Sequence, residues 1–219
     1  MHPLMAGVRQ GLADLSLDLS DVQVDSLLAY MDLIQKWTKV YNLTAVRDPA
    51  EMLTHHLLDS LAVVGPLRAQ LQLRLSDSAM PIRLLDVGSG AGLPGVVIAI
   101  CSPNMTVHCV DTVGKKAAFI QQVSASLKLP NLRGIHSRVE ALKDKYEVIS
   151  SRAFASLPDF TSWSVNALAE QGIWMAMKGK DPAEEIQALP ESVRVFHVEQ
   201  LLVPGLAAER CIVWMGSGH

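Results

Sequence analysis

The chain has 219 residues, 49% apolar and 19% charged, with a net charge of −3 and a mean hydropathy of +0.23. That balance excludes intrinsic disorder and supplies enough apolar side chain for one domain, or one domain with an appendage. The longest aliphatic run, Val96–Ile100, is too short for a membrane span, and the start MHPLMAGVRQGLADL lacks the charged-then-apolar order of a secretory signal.

In chain order, Asp21–Tyr41 reads as an amphipathic helix. Val24, Leu27, Leu28, Met31, Ile34 and Trp37 recur at spacings of three and four, and Ser20 or Asp21 can cap the start. A second helix is predicted over Pro49–Leu73, capped by Asp48, with Pro49 in the first turn and Gly65-Pro66 as a kink or division. Ser76-Asp77-Ser78 forms a polar break. Residues 1–80 therefore read as a helical appendage and 81–219 as a separate domain.

Beyond Pro81 strands and helices alternate. Strands are predicted at Ile82–Val87, Thr106–Val110, Leu132–His136, Tyr146–Ser150 and Gly172–Met177. Helices are predicted at Leu93–Cys101, Gly114–Leu127 and near Pro158–Leu168. Two further strands, Val193–Leu202 and Arg210–Trp214, flank Pro204-Gly205 in a hairpin-like return. Repeated βα units imply an α/β fold, a parallel sheet with helices on both faces.

The cysteines Cys101, Cys109 and Cys211 are odd in number and lack C-x-x-C spacing, which argues against a disulfide framework and against a metal site. Trp37, Trp163, Trp174 and Trp214 are assigned to the core. The charge is unevenly spread. Residues 1–80 carry six basic and nine acidic side chains, whereas Lys115–Arg152 carries eight basic and three acidic, net +5. That window is a candidate surface for nucleic-acid phosphates, or an ordinary solvated face.

Chemistry concentrates in Leu84-Leu-Asp-Val-Gly-Ser-Gly-Ala-Gly-Leu-Pro-Gly95. A strand runs into a glycine-rich turn and then a helix, whose first N–H groups suit an anionic or polar ligand. Asp111 closes the next strand, where its carboxylate can accept from both hydroxyls of a ribose. Gly90-x-Gly92-x-x-Gly95 matches the dinucleotide fingerprint, with Asp111 about 20 residues on. Asp86-x-Gly88-x-Gly90-x-Gly92 equally matches the loop of S-adenosylmethionine-dependent methyltransferases. The acidic Asp86, which would repel a pyrophosphate, favours the second reading. So do the 108 residues after Asp111, too few for a hydride-acceptor domain. A nicotinamide-dependent reductase and a non-enzymatic RNA-binding or nucleotide-sensing module remain as alternatives at this point.

The sequence resembles the bacterial 16S ribosomal RNA guanine-N7 methyltransferase family, also called glucose-inhibited division protein B. Trp37-Thr-Lys-Val-Tyr-Asn-Leu-Thr44, Arg47-Asp-Pro49, His55-His-Leu-Leu-Asp-Ser60, Asp86–Gly95, Asp111, Gly114-Lys115, Ser137-Arg-Val-Glu140, Ser151-Arg-Ala-Phe-Ala-Ser-Leu157 and Lys178-Gly179 carry the resemblance. It implies a Rossmann-like class I methyltransferase sheet with an N-terminal helical appendage. The implied cofactor is S-adenosyl-L-methionine and the implied partner is 16S ribosomal RNA in the small ribosomal subunit, with no membrane, no metal and a cytoplasmic location. Gly88, Gly90 and Leu93 would contact the cofactor from the loop and helix start, and Asp111 would hold its ribose. Val139 and Glu140 would bracket the adenine. Arg152 would lie at the methionine end or the RNA entrance. No catalytic acid or base is implied. Asp86 is a candidate for stabilising the cationic base or for shaping the loop.

Other conspicuous residues have two readings each. His56 falls in an apolar stripe and reads as a core histidine. His55 or Asp59 is a candidate for packing the appendage against the cofactor site. Tyr41-Asn42 either closes a helix or reaches a flipped base. Lys178-Gly179-Lys180 follows a strand and is a candidate phosphate contact.

Overall fold

The computed structural model describes residues 2–75, 81–179 and 182–218. The polar break expected at 76–78, and Lys180, lie outside the described residues.

The chain begins with a helix that the pattern did not predict, α1 (Met5–Asp14), followed by α2 (Asp21–Tyr41). A capping box starts α2: Ser20 Oγ accepts from the Gln23 N–H at 3.3 Å, and Gln23 Oε1 accepts from the Ser20 N–H at 3.0 Å. Asn42, at φ 51°, closes it, as the helix-end reading of Tyr41-Asn42 expected. The helical stretch predicted over Pro49–Leu73, with a kink or division at Gly65-Pro66, is divided into four parts. It runs as α3 (Pro49–Met52), a π-helical segment (Leu53–Leu58), α4 (Asp59–Leu61) and α5 (Val64–Leu75). The break falls at Ala62-Val63, just before Gly65-Pro66.

The sheet is built from β1 (Arg83–Val87), β2 (Thr106–Asp111), β3 (Leu132–His136), β4 (Tyr146–Arg152), β5 (Leu168–Lys178), β6 (Val193–Gln200) and β7 (Cys211–Ser217). Between them lie α6 (Gly95–Cys101), α7 (Gly114–Ser126), α8 (Leu157–Ser164) and α9 (Ala183–Gln187), the last also unpredicted. Strand order is β3-β2-β1-β4-β5-β7-β6, with β1 to β5 parallel and β7 antiparallel to both its neighbours. Chain order reverses between β1 and β4, and in such sheets ligands bind outside the carboxyl ends of the strands at that point.

Residues alternate between two cores along each strand. Leu84, Val107, Val148 and Ile173 pack under α6, α7 and the helices of residues 5–71. Leu85, Val110, Ile149 and Trp174 pack under α8 and beside α9. The N-terminal helices share one continuous core with the sheet, and polar bonds reinforce it. Tyr30 Oη donates to the Ala91 carbonyl at 2.6 Å. Gln23 and Arg68 donate to the last carbonyls of α6, at Ile100 (2.9 Å) and Cys101 (2.8 Å), which have no partner within the helix. Trp174 and Trp214 are buried and Trp37 is partly buried, but Trp163 is 40% exposed, so the core assignment fails for it.

The Lys115–Arg152 window does not form one surface. Lys115, Lys116, Arg138 and Arg152 follow strands or end them, at the carboxyl edge of the sheet. Lys128, Arg133, Lys143 and Lys145 precede or begin strands, at the opposite edge. Parallel strands separate the two groups by the height of the sheet.

Gly95 shows how tightly the first βα unit closes. A Cβ there would lie 2.5 Å from Cys109 Sγ and 2.9 Å from the Asp86 side chain. Gly95→Ala should therefore cost about 1–3 kcal/mol from overpacking, a fall in Tm of roughly 3–10 °C for a chain of this size. Thermal unfolding checks it; an unchanged Tm would mean that the unit has slack.

Candidate functional site

The glycine-rich loop is held by two carboxylates of the chain itself. Asp86, fully buried in β1, accepts from the Gly95 N–H at 3.0 Å and from Ser150 Oγ at 2.8 Å. The helix start expected to receive a ligand anion thus receives Asp86. The helix also begins two residues later than predicted, because the Ser89 carbonyl takes the Gly92 and Leu93 N–H groups into a turn. Asp86 consequently shapes the loop from within the core, with no exposed surface of its own. Asp111, 6% exposed at the end of β2, accepts from the Gly90 N–H (3.0 Å) and the Val113 N–H (2.9 Å), with Lys116 Nζ at 3.6 Å. A carboxylate offers about four lone-pair sites, so Asp111 keeps acceptor capacity while fixing the loop.

Two cavities of about 470 Å³ each open at the carboxyl edge. Gly88 and Ala153 line both. These residues follow β1 and β4, which lie side by side with Val87 paired to Ser151. Both have left-handed backbone, Gly88 at φ 63° and Ala153 at φ 51°. A Cβ on Gly88 would overlap the Phe154 ring. A non-glycine residue in that conformation is strained, and such residues gather at functional sites.

One cavity has apolar walls from Val87, Val110, Val139, Phe154 and Trp163, with Asp111, Lys116, Arg138 and Glu140 as its charged groups. The Phe154 and Trp163 rings meet edge to face, centroids 5.8 Å apart. The other cavity lies between the loop and the N-terminal helices. Gly90 and Leu93 line it, together with His56, Asp59, Arg152, Lys178 and Arg210. The sequence-predicted residues therefore gather around one junction: Asp111, Val139 and Glu140 on one side, Gly90, Leu93 and Arg152 on the other, Gly88 between them.

Arg152 does not stand free. Its Nη1 donates to Asp59 Oδ2 at 2.8 Å and to the His55 carbonyl at 3.0 Å. Arg210 Nε donates to Asp59 Oδ1, also at 2.8 Å. Asp59 is 2% exposed. Both candidates for packing the N-terminal helices against this cavity take part, Asp59 through its side chain and His55 through its backbone carbonyl. Lys178 is likewise engaged, donating to Glu185 (2.7 Å) and to the Ala155 carbonyl (3.1 Å). Sequence reading missed Arg210, Ala153, Phe154 and Glu185. Only Ala153 and Phe154 left a trace, inside the SRAFASL stretch.

The chain matches the family described as rRNA small subunit methyltransferase G over residues 23–213. The chain belongs to that family. It is 67% identical to Ribosomal RNA small subunit methyltransferase G of Albidiferax ferrireducens, covering 98% of each chain. It is 58% identical to the protein of that name in Methylibium petroleiphilum, over 97% of this chain and 94% of the relative. Among solved structures, it is similar in fold to a SAM-dependent methyltransferase from Aquifex aeolicus, with TM-score 0.54, 15% identity, and coverage of 80% of this chain and 96% of that one. The ribosomal protein L11 methylase of Lactobacillus delbrueckii subsp. bulgaricus also has TM-score 0.54, with 16% identity and coverage of 74% and 77%. These establish the Rossmann-like methyltransferase sheet of the family. No helix among the described residues is long and apolar enough to cross a membrane. Among the described residues no three His, Cys, Asp or Glu side chains are grouped to hold a metal ion.

Burial pushes the Asp86 carboxyl up to about 6, while its bonds to Ser150 and Gly95 and the charge of Arg152 pull it down. Unfolded, an aspartate titrates near 4. The group therefore favours the fold below about pH 4, and that contribution is lost as pH rises to about 6. Asp86→Asn removes this pH dependence. Its stability relative to the wild type should rise by up to about 3 kcal/mol between pH 4 and 7. Urea unfolding across that range checks it; a constant difference would contradict the raised pKa.

Proposed function

We propose that the chain transfers a methyl group from S-adenosylmethionine to N7 of a guanine in 16S ribosomal RNA. The observation that carries this reading is the pair of cavities joined at Gly88 and Ala153, at the switch point of a sheet in this family. The site fits the cofactor. The cavity with apolar walls and Asp111 suits an adenosine, a flat base with two hydroxyls. The cavity with Arg152 and Arg210 suits an amino-acid carboxylate and a polyanionic substrate.

In this reading Asp111 holds the ribose, and Val139 and Glu140 bracket the adenine. Gly88 lets the ligand cross between cavities. Gly90 and Leu93 border the methionine end, with Arg152 at its carboxylate. When bound, S-adenosylmethionine supplies a methyl carbon that is electrophilic by virtue of its sulfonium. The N7 lone pair of guanine carries no proton, so the residues around it need not act as general base. Their work is to align the base and exclude water. The guanine gains positive charge as it is methylated. Asp59 offsets one of the two arginine charges that face it, which reduces the repulsion. The substrate is the RNA of the small ribosomal subunit, and the place of action is the cytoplasm.

Calorimetry and methyl incorporation test this together. The folded protein should bind S-adenosylhomocysteine and not a nicotinamide nucleotide. Labelled methyl should appear at guanine N7 in small-subunit RNA. Asp111→Ala should raise the cofactor Kd by roughly 10- to 100-fold, the loss of one or two hydrogen bonds to a charged acceptor. An unchanged Kd in the folded variant would remove Asp111 from the ribose. Nicotinamide binding or absent methyl transfer would overturn the function.

A further inference from the structure

Trp37 and Tyr41 stand four residues apart on α2, so they share one face of the helix. The Trp37 ring packs onto Phe119 of α7, centroids 5.3 Å apart. The Tyr41 ring lies against Trp37, centroids 5.0 Å apart. Tyr41 is the last residue of the helix, however, and it is 45% exposed. Two exposed cations attend this helix end. Lys115 Nζ lies over the Tyr41 ring, 5.3 Å from its centroid. Arg47 donates to Asn42 Oδ1 at 2.7 Å. The acid beside Arg47, Asp48, is occupied in capping α3. An exposed cation–π pair adds little to the stability of a fold.

The two elements that carry the pair also border the cavities. Tyr41 comes just before Leu43 and Thr44, which line the cavity beside the N-terminal helices. Lys115 comes just after Thr112 and Val113, which line the cavity with apolar walls. Two or three residues of chain span at most about 11 Å. The tyrosine and the lysine therefore stand close to the lips of both cavities, in contact with each other and open to solvent.

Single-stranded nucleic acid is held by aromatic rings that stack on its bases and by cations that meet its phosphates. Tyr41 offers the first and Lys115 the second. A base drawn out of an RNA strand into a cavity brings its neighbours to the lip, because the strand is continuous. On the function proposed above, we propose that Tyr41 and Lys115 hold the unpaired nucleotide next to the target guanine, its base on the Tyr41 ring and its phosphate on Lys115. The ammonium sits on an exposed, flexible side chain, so it can leave the ring for the phosphate as the base arrives.

The test measures methyl transfer by the full chain to small-subunit RNA, free or assembled into subunits, whichever the wild type methylates. Tyr41→Ala should lower kcat/KM on the order of 10- to 100-fold, and Tyr41→Phe, which keeps the ring, should stay near wild type. The Kd for S-adenosylhomocysteine should be unchanged in both. Lys115→Gln should make the fall of RNA affinity with salt shallower by about 0.7 in the log–log slope, the share of one phosphate on a single strand. RNA with an abasic nucleotide immediately 5′ or 3′ of the target locates the stacked base. One of these two RNAs should cost the wild type as much as Tyr41→Ala costs on intact RNA, and the two changes together should cost no more than either alone. Equal wild-type rates on intact RNA and on both abasic RNAs would overturn the proposal, and that comparison needs no variant to fold. Tyr41→Ala with wild-type kcat/KM would overturn it too. So would losses that multiply on both abasic RNAs, which would mean that Tyr41 meets another partner, such as a ribosomal protein. Absence of transfer by the wild type to either form of the RNA would instead overturn the parent function, and this inference with it.

Discussion

Asp59, in the N-terminal helices, holds two arginines from the ends of two different strands in the sheet. Its two oxygens accept from Arg152, the last residue of β4, and from Arg210, just before β7, each at 2.8 Å. The carboxylate itself begins α4, in the N-terminal helices. A carboxylate so deeply buried loses its hydration, and only well-aligned charged partners offset that loss. The clasp therefore fixes where the N-terminal helices meet the sheet. It also sets the shape of the cavity between them, because all three side chains line it. Two guanidinium charges against one carboxylate leave that cavity with an excess positive charge, suited to the anionic groups of a cofactor carboxylate or a nucleic acid.

The loop at the cavity junction depends on the same device. Asp86 takes the first N–H of α6 and Asp111 takes an N–H of the loop, so the backbone is fixed before any ligand arrives. Preorganisation of this kind reduces the ordering cost of binding. Tyr30 adds a third restraint from the N-terminal helices, through the Ala91 carbonyl. The N-terminal helices and the sheet are thus coupled at the loop and at the arginines, and the cofactor and the target base would meet between those two couplings.

Much of this was legible in the sequence because it is periodic or local. The alternation of strands and helices gave the parallel sheet, and the Asp86–Gly95 stretch marked its ligand-binding turn. The Ser20 cap and the Asn42 stop follow from residue type. The short α1 passed unnoticed although Met5, Val8, Leu12 and Leu15 recur at spacings of three and four, whereas α9 buries no residue. The π-helical segment carries no glycine or proline to announce it. Long-range pairings were the other blind spot. Nothing in spacing joins Asp59 to Arg210, 151 positions away, or Lys178 to Glu185, seven positions on. The glycine-rich helix start misled for a physical reason: the anion that its N-terminus attracts is the protein's own Asp86. The basic window misled because net charge along a chain ignores which edge of the sheet each residue reaches.

The most direct measurement of the Asp59 clasp is a double-mutant cycle between Asp59→Ala and Arg210→Ala, read by urea unfolding of the full chain. Arg210 is the better partner for the cycle because Arg152 is also assigned to the cofactor. The clasp predicts strong coupling, with the two changes together costing about 2 kcal/mol less than the sum of the single changes. Additivity within about 0.5 kcal/mol would mean that the two side chains lie close without holding the N-terminal helices to the sheet.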